Sequence, residues 1–175
     1  MQKLRPSASY ISEASPAAIF PLLKNSATWP LWSMIDKCEL VRTAEGELHG
    51  VGSQRRFYTG RLTMFEEIVE LLPNERVSYV LHSGFPLKEY RAETILEPLA
   101  GSRTRITWRS SFYPKYWGTG WFWWLVMYRV YRDLARALAQ VAENPERARE
   151  ILALSQGNQT SKHMIGTLQQ EKADA

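Results

Sequence analysis

The residues best suited to chemistry in this chain sit on what reads as a half-buried strand. In the run Thr63, Phe65, Glu67, Val69 and Leu71, strict alternation places one carboxylate among apolar neighbours on one face. A buried carboxylate must be paired or have its pKa raised, and a raised pKa suits a general acid or base. Glu67 is therefore the candidate catalytic residue. The structural alternatives are a salt bridge to Arg55 or Arg132, or a strand bulge that turns Glu67 outward. Tyr79, Tyr90, Tyr128 and Tyr131 fall on inward positions of two strands and a helix. Their hydroxyls either orient a polar ligand group or bond backbone as ordinary core aromatics. Phe65, Trp108 and Trp124 offer flat apolar walls, and Thr94 and Ser110 offer hydroxyls on the same face. Arg132, at the edge of the helical stripe, either reaches an anionic group or stands in solvent beside Arg129 and Arg136. These residues form the expected ligand-binding set.

Other reactive types do not converge. His82 falls on the wet side of its strand, His49 in a loop and His163 near the C-terminus, so all three are expected at the surface with no dyad and no metal site. The single cysteine, Cys38, can form no intrachain disulfide or cysteine cluster, and its apolar surroundings predict a buried structural thiol. Gly118-Thr119-Gly120 opens a helix but follows no βαβ pattern, so it is no dinucleotide fingerprint. No cofactor is expected.

The elements that must position these side chains follow from periodicity. A first strand spans 7–14. Ser15-Pro16 then starts a short helix, Ser as N-cap and Pro in the first turn. Residues 25–32 read as a second short helix with Trp29 and Trp32 on one face. Strands follow at 35–42, 52–58, 61–72, 76–83, 87–97 and 102–112. Their short connections, among them Thr59-Gly60, Pro73-Asn74-Glu75 and Gly84-Phe85-Pro86, predict an antiparallel meander. One face carries Val77, Tyr79, Leu81, Tyr90, Ala92, Thr94, Leu96, Ile106, Trp108 and Phe112. The other carries arginines interleaved with glutamates. Trp121, Trp124, Tyr128, Tyr131, Ala135, Leu138 and Ala142 recur at helical spacing and would cover the apolar face. A helix of about 22 residues is ~33 Å long, enough to cross such a sheet. Asn144-Pro145 ends it and starts a short helix over 146–154, with a polar flexible tail after Ser155.

Composition sets the outer limits. The 175 residues suffice for one domain, 1–143, with 144–175 as an appended helix and tail. Seven Trp, eight Tyr and six Phe, a heavy aromatic load, must fill a thick core or line a cavity. A net charge of +4 is a mild excess, and the alternating signs on the outer strands argue against nucleic acid. Nothing resembles a signal peptide, and the apolar run from Trp121 to Tyr128 is far short of a bilayer span. A cytoplasmic protein is expected. Phe122 and Trp123 fall off the inward stripe, which points to a transient membrane contact, a cavity gate or a dimer interface. Monomer and homodimer both remain open.

Several stretches together resemble a known family: ISEASPAAIFPLLKNSATWPLW, GVGSQRRF, FEEIVELLPNERVSYVLHSGFPLKEY, and RTRITWRSSFYP followed by GTGW and an Arg-rich helix. They are similar to the polyketide cyclase/dehydrase branch of the SRPBCC (START-like) superfamily, over about residues 7–142. The resemblance implies an α+β helix-grip fold: a curved seven-stranded antiparallel sheet wrapped around a long C-terminal helix, with two short helices between the first two strands. Members bind sterols, lipids, hormones and aromatic polyketides; some are aromatase/cyclases, others carriers or cochaperones. The expected function is binding of a hydrophobic small molecule between sheet and helix, as carrier or sensor. The alternatives are a polyketide cyclase/aromatase-like enzyme using acid/base residues in the same cavity, and an interaction module with a vestigial cavity.

Overall fold

The structure, a computed structural model, describes residues 2–44 and 47–157. Seven strands run β1 (Ser7–Ser12), β2 (Lys37–Arg42), β3 (Gln54–Thr59), β4 (Leu62–Leu72), β5 (Arg76–Ser83), β6 (Leu87–Pro98) and β7 (Thr104–Pro114). They form one curved sheet in the order β1-β7-β6-β5-β4-β3-β2, every neighbour antiparallel. Consecutive strands from β2 to β7 are sheet neighbours, as a meander requires. The exception is β1 to β2, which lie at opposite edges of the sheet. Helix α1 (Pro16–Lys24) and a 3-10 turn (Ser26–Leu31) carry the chain between them.

Pro16 starts α1 as expected, yet Ser15 caps with its backbone: Ser15 O accepts from the amides of Ala18 and Ile19, while its side chain makes no capping bond. Pro21 lies inside the helix. Trp29 and Trp32 are both buried. Trp29 stacks on Phe57 with ring centres 4.9 Å apart and meets Trp108 edge-on at 5.5 Å. The indole N–H groups of Trp29 and Trp32 donate to Leu23 O and Thr28 Oγ1, so neither polar tip is stranded.

Helix α2 (Gly120–Ala142) packs on β1, β7 and α1. Its buried residues are Met127, Tyr131, Leu134, Ala135, Leu138, Ala139, Val141 and Ala142. Alanines at 135, 139 and 142 allow close approach to the sheet. The inward stripe agrees with expectation from Tyr131 onward and departs from it before. Trp121 and Trp124 are exposed, while Trp123 and Met127 turn toward the sheet. Phe85, in the β5–β6 turn, draws Trp123 in through an edge contact at 5.7 Å. A further helix, α3, covers residues 145–157. Most of the expected flexible tail lies outside the described residues.

The outer face of the sheet is a charge lattice. Arg76 reaches both Glu70 (3.3 Å) and Glu93 (3.5 Å), Arg109 reaches Glu93 (2.7 Å), and Arg105 reaches Glu97 (2.8 Å). Alternating signs across strands stabilise the pairing and leave no single-sign stripe.

Candidate functional site

The inner face of the sheet and the inner stripe of α2 meet in an aromatic interior. Cross-strand register sets two rows on the sheet. One runs Ile68, Tyr79, Ala92, Ser110; the next runs Val77, Thr94, Trp108, Ala8. Small residues at 92, 94 and 110 stand between large rings. Tyr79, Trp108, Phe112, Met127 and Tyr131 are each at most 3% exposed, so side chains fill the space between sheet and helix.

Polar groups here are few and specific. Trp108 Nε1 donates to Tyr79 Oη at 2.7 Å. The Tyr90 and Tyr131 hydroxyls bond each other at 2.8 Å, linking sheet to helix, and Tyr131 also contacts Met127 Sδ at 3.6 Å. Burial pushes all three tyrosine pKa values up, so they are neutral hydroxyls. Ser110 lies close enough to Tyr131 to lower its pKa against that trend, without a hydrogen bond of good geometry.

The buried carboxyl is that of Glu66, not Glu67. A bulge in β4 between Ile68 and Glu70, with Val69 as the extra residue, shifts the strand's phase, and a second irregularity opposite Phe65 and Glu66 places its extra residue, His82, on β5. Met64, Glu66 and Ile68 therefore point inward, while Phe65 and Glu67 lie on the opposite face. Glu67 accepts from Gln54 Nε2 at 3.0 Å and pairs with His82 Nε2 at 3.0 Å, and these bonds lower its pKa. Phe65 packs on the His82 ring and lies beneath Arg56. Glu66 instead pairs with Arg55, whose Nε and Nη2 reach Oε2 at 3.2 and 3.1 Å. Burial raises the Glu66 pKa and Arg55 opposes that rise.

Arg55, itself buried, is caged by aromatic faces. Its guanidinium lies 4.7 Å from the Trp29 ring centre, 4.9 Å from Tyr79 and 5.0 Å from Phe57, a desolvated cation–π arrangement. Arg55 Nη1 makes no hydrogen bond, and neither does Thr94 Oγ1, both on the inner face.

Of the expected site residues, Tyr79, Tyr90, Thr94, Trp108, Ser110 and Tyr131 do face the interior. Tyr128 is half-buried under Trp124, the two rings parallel at 5.5 Å, and Trp124 itself is exposed. Arg132 is exposed and bonds its neighbour Asp133. His49 departs from its expected surface position. It is buried against Ser26 Oγ at 3.3 Å, and burial and nearby Arg55 lower its pKa to about 4. Cys38 is half-buried against the core rather than fully buried. No group of His, Cys, Asp and Glu among the described residues could hold a metal ion. Two surface hollows lie away from this interior, one of about 420 Å³ along α3 and one of about 220 Å³ at the C-terminal end of α2.

A curved antiparallel sheet closed over a long C-terminal helix, with an aromatic interior holding a few polar groups, is the helix-grip architecture of START-like proteins. The chain belongs to the SRPBCC family described as "Polyketide cyclase / dehydrase and lipid transport", whose model matches residues 4–144. No protein of curated function matches the sequence. Solved structures share its fold at low identity. A START superfamily protein from Mycobacterium smegmatis is 17% identical with a TM-score of 0.70, over 79% of this chain and 97% of that one. XoxI from Bacillus cereus is 18% identical with a TM-score of 0.68, over 81% and 97%. A protein from Thermus thermophilus is 17% identical with a TM-score of 0.61, over 84% and 98%.

Proposed function

We propose that this protein binds a hydrophobic small molecule, a lipid, polyketide or other aromatic compound, between the sheet and α2, and serves in the cytoplasm as its carrier or sensor. The observation that carries this reading is the Arg55 cage. A buried guanidinium stacked among three rings leaves Nη1 without an acceptor, and such an unmade bond costs roughly 1–3 kcal/mol. A ligand bringing an apolar body and one carbonyl or anionic oxygen would satisfy Nη1 and exchange contacts with the surrounding aromatic rings. Neutral, mutually bonded tyrosines suit orientation better than proton transfer. Family membership supports the same class of ligand.

The test uses anilinonaphthalene sulfonate, a planar anion, with native mass spectrometry of the purified protein for any retained ligand. Saturable binding that raises the melting temperature, and that Ser110→Leu abolishes in a still-folded protein, is the expected outcome. Absence of saturable binding, together with no shift across a panel of fatty acids and planar acids, would refute it.

A second reading, a cyclase-like enzyme, is favoured by one observation: the Glu66 carboxyl is buried and its pKa is raised. Turnover of a poly-β-ketone that Glu66→Gln abolishes would support it; equal rates in wild type and variant would exclude Glu66 from the chemistry.

A further inference from the structure

One end of the molecule carries an aromatic cluster that the interior does not use. Between the end of β7 and the second turn of α2, Tyr116, Trp117, Trp121, Phe122 and Trp124 are all exposed, Trp117 at 90% and Trp121 at 73%. Three rings at the start of α2 touch in series: Trp121 meets Phe122 edge-on at 6.1 Å, and Phe122 meets Trp123 at 5.2 Å. Leaving large apolar rings in water is unfavourable, and a clustered exposed patch marks a contact surface.

The charge around the cluster selects the partner. Lys115 and Lys88 are exposed, and Lys3 lies over the Tyr113 ring at 5.5 Å. Arg129 is exposed about two turns along α2 from Trp121. Glu89 is the carboxylate at this end, and it lies 3.9 Å from Lys3. Lys88, Lys115 and Arg129 have no ion pair among the described residues. The sequence contains no Asp or Glu from Pro98 to Arg132. On the outer face of the sheet, by contrast, Arg76, Arg105 and Arg109 are each matched by a glutamate.

We propose that this end docks on an anionic lipid surface, with Trp117, Trp121, Phe122 and Trp124 entering the headgroup region and Lys88, Lys115 and Arg129 meeting lipid phosphates. Tryptophan suits the interface because its ring is apolar and its N–H stays wet. Shallow contact is the available mode, since no helix among the described residues is long and apolar enough to cross a membrane. A second copy of the chain is the poorer occupant. Self-association through this face would bring the unpaired cations Lys88, Lys115 and Arg129 together, with Glu89, already beside Lys3, as the carboxylate facing them. The proposal stands whether or not the interior takes a ligand.

The test is partition of the full chain into phosphatidylglycerol/phosphatidylcholine vesicles, read by co-sedimentation and tryptophan emission. Binding with a blue shift is expected, weakening as salt shortens the screening length. Trp117→Ser combined with Trp121→Ser should weaken partition at least about tenfold. Lys115→Glu should weaken it roughly fivefold or more. Both variants alter exposed side chains, and unchanged melting temperatures verify their folding. Leu48→Ser, an exposed change in another loop, should leave partition unchanged. No partition into anionic vesicles would overturn the proposal. So would equal binding to pure phosphatidylcholine, unaltered binding by the Trp variant, or a concentration-dependent dimer that the same variant abolishes.

Discussion

At the scale of single residues, the Arg55–Glu66 pair is the costliest feature of the interior. Both ions are out of water, and their attraction offsets the desolvation only while both are present. Arg55→Met would leave Glu66 buried and unpaired, and denaturant unfolding should show a loss of roughly 3–5 kcal/mol. The double variant Arg55→Met, Glu66→Leu should recover much of that loss; failure to recover would mean that the pair does more than neutralise itself. His49 supplies a pH dependence of known sign. Its folded pKa is about 4 against an ordinary 6.5, lowered by burial, then by Arg55 and Lys24, with Glu47 opposing. The unfolded chain therefore binds the extra proton between those values. Stability is full above about pH 6.5 and falls as pH drops toward 4, by on the order of 3 kcal/mol. His49→Asn should flatten that limb, measured as the difference from wild type across pH 4–7, so that the opposite tendency of Glu66 cancels.

At the scale of elements, what the sequence revealed and what it concealed divide along one line: regular ladders against bulges. On β5, β6 and β7 strict alternation identified the inner residues, because β5 and β6 pair in one register and β6 and β7 do so from Arg91 onward; the shift between Lys88 and Arg91 leaves Tyr90 facing inward. On β4, alternation read through the bulge at Val69 selected Glu67 where Glu66 is buried. Adjacent glutamates offer no compositional signal to say which one turns inward. The early turns of α2 failed for a similar reason. Steps of three and of four both fit an aromatic-rich run, and Phe85, distant in sequence, decides between Trp123 and Trp124. His49 was illegible because burial of a loop depends on α1 and the 3-10 turn folding over it. The β5–β6 turn also fixes a backbone requirement. Gly84 has φ +131, and an added Cβ would meet Met64 Cα and Thr63 O at 3.0 Å. Gly84→Ala should cost roughly 1–3 kcal/mol in equilibrium unfolding, whereas Gly101→Ala, with open space around it, should cost less.

At the scale of the whole molecule, the packed interior and a binding function are compatible only if some part of the grip can open. The two halves of α2 differ in what holds them. From Tyr131 to Ala142 the helix buries Leu134, Ala135, Leu138, Ala139, Val141 and Ala142 against sheet and α1. From Gly120 to Tyr128 it buries Met127 fully and Trp123, Val126 and Tyr128 only in part, and Thr119 at its start makes no side-chain capping bond. Local opening follows buried apolar contact, so the first two turns should be the least stable part of the helix. Native-state hydrogen exchange should show amides at 123–127 exchanging at least about tenfold faster than those at 134–141. A bound hydrophobe lying between α2 and the Tyr79–Trp108 rows would add contacts to that loose half, so saturating ligand should slow exchange there and leave the already protected half unchanged. Uniform protection along α2 without ligand would mean that the helix opens as one unit, and that entry to the interior lies elsewhere.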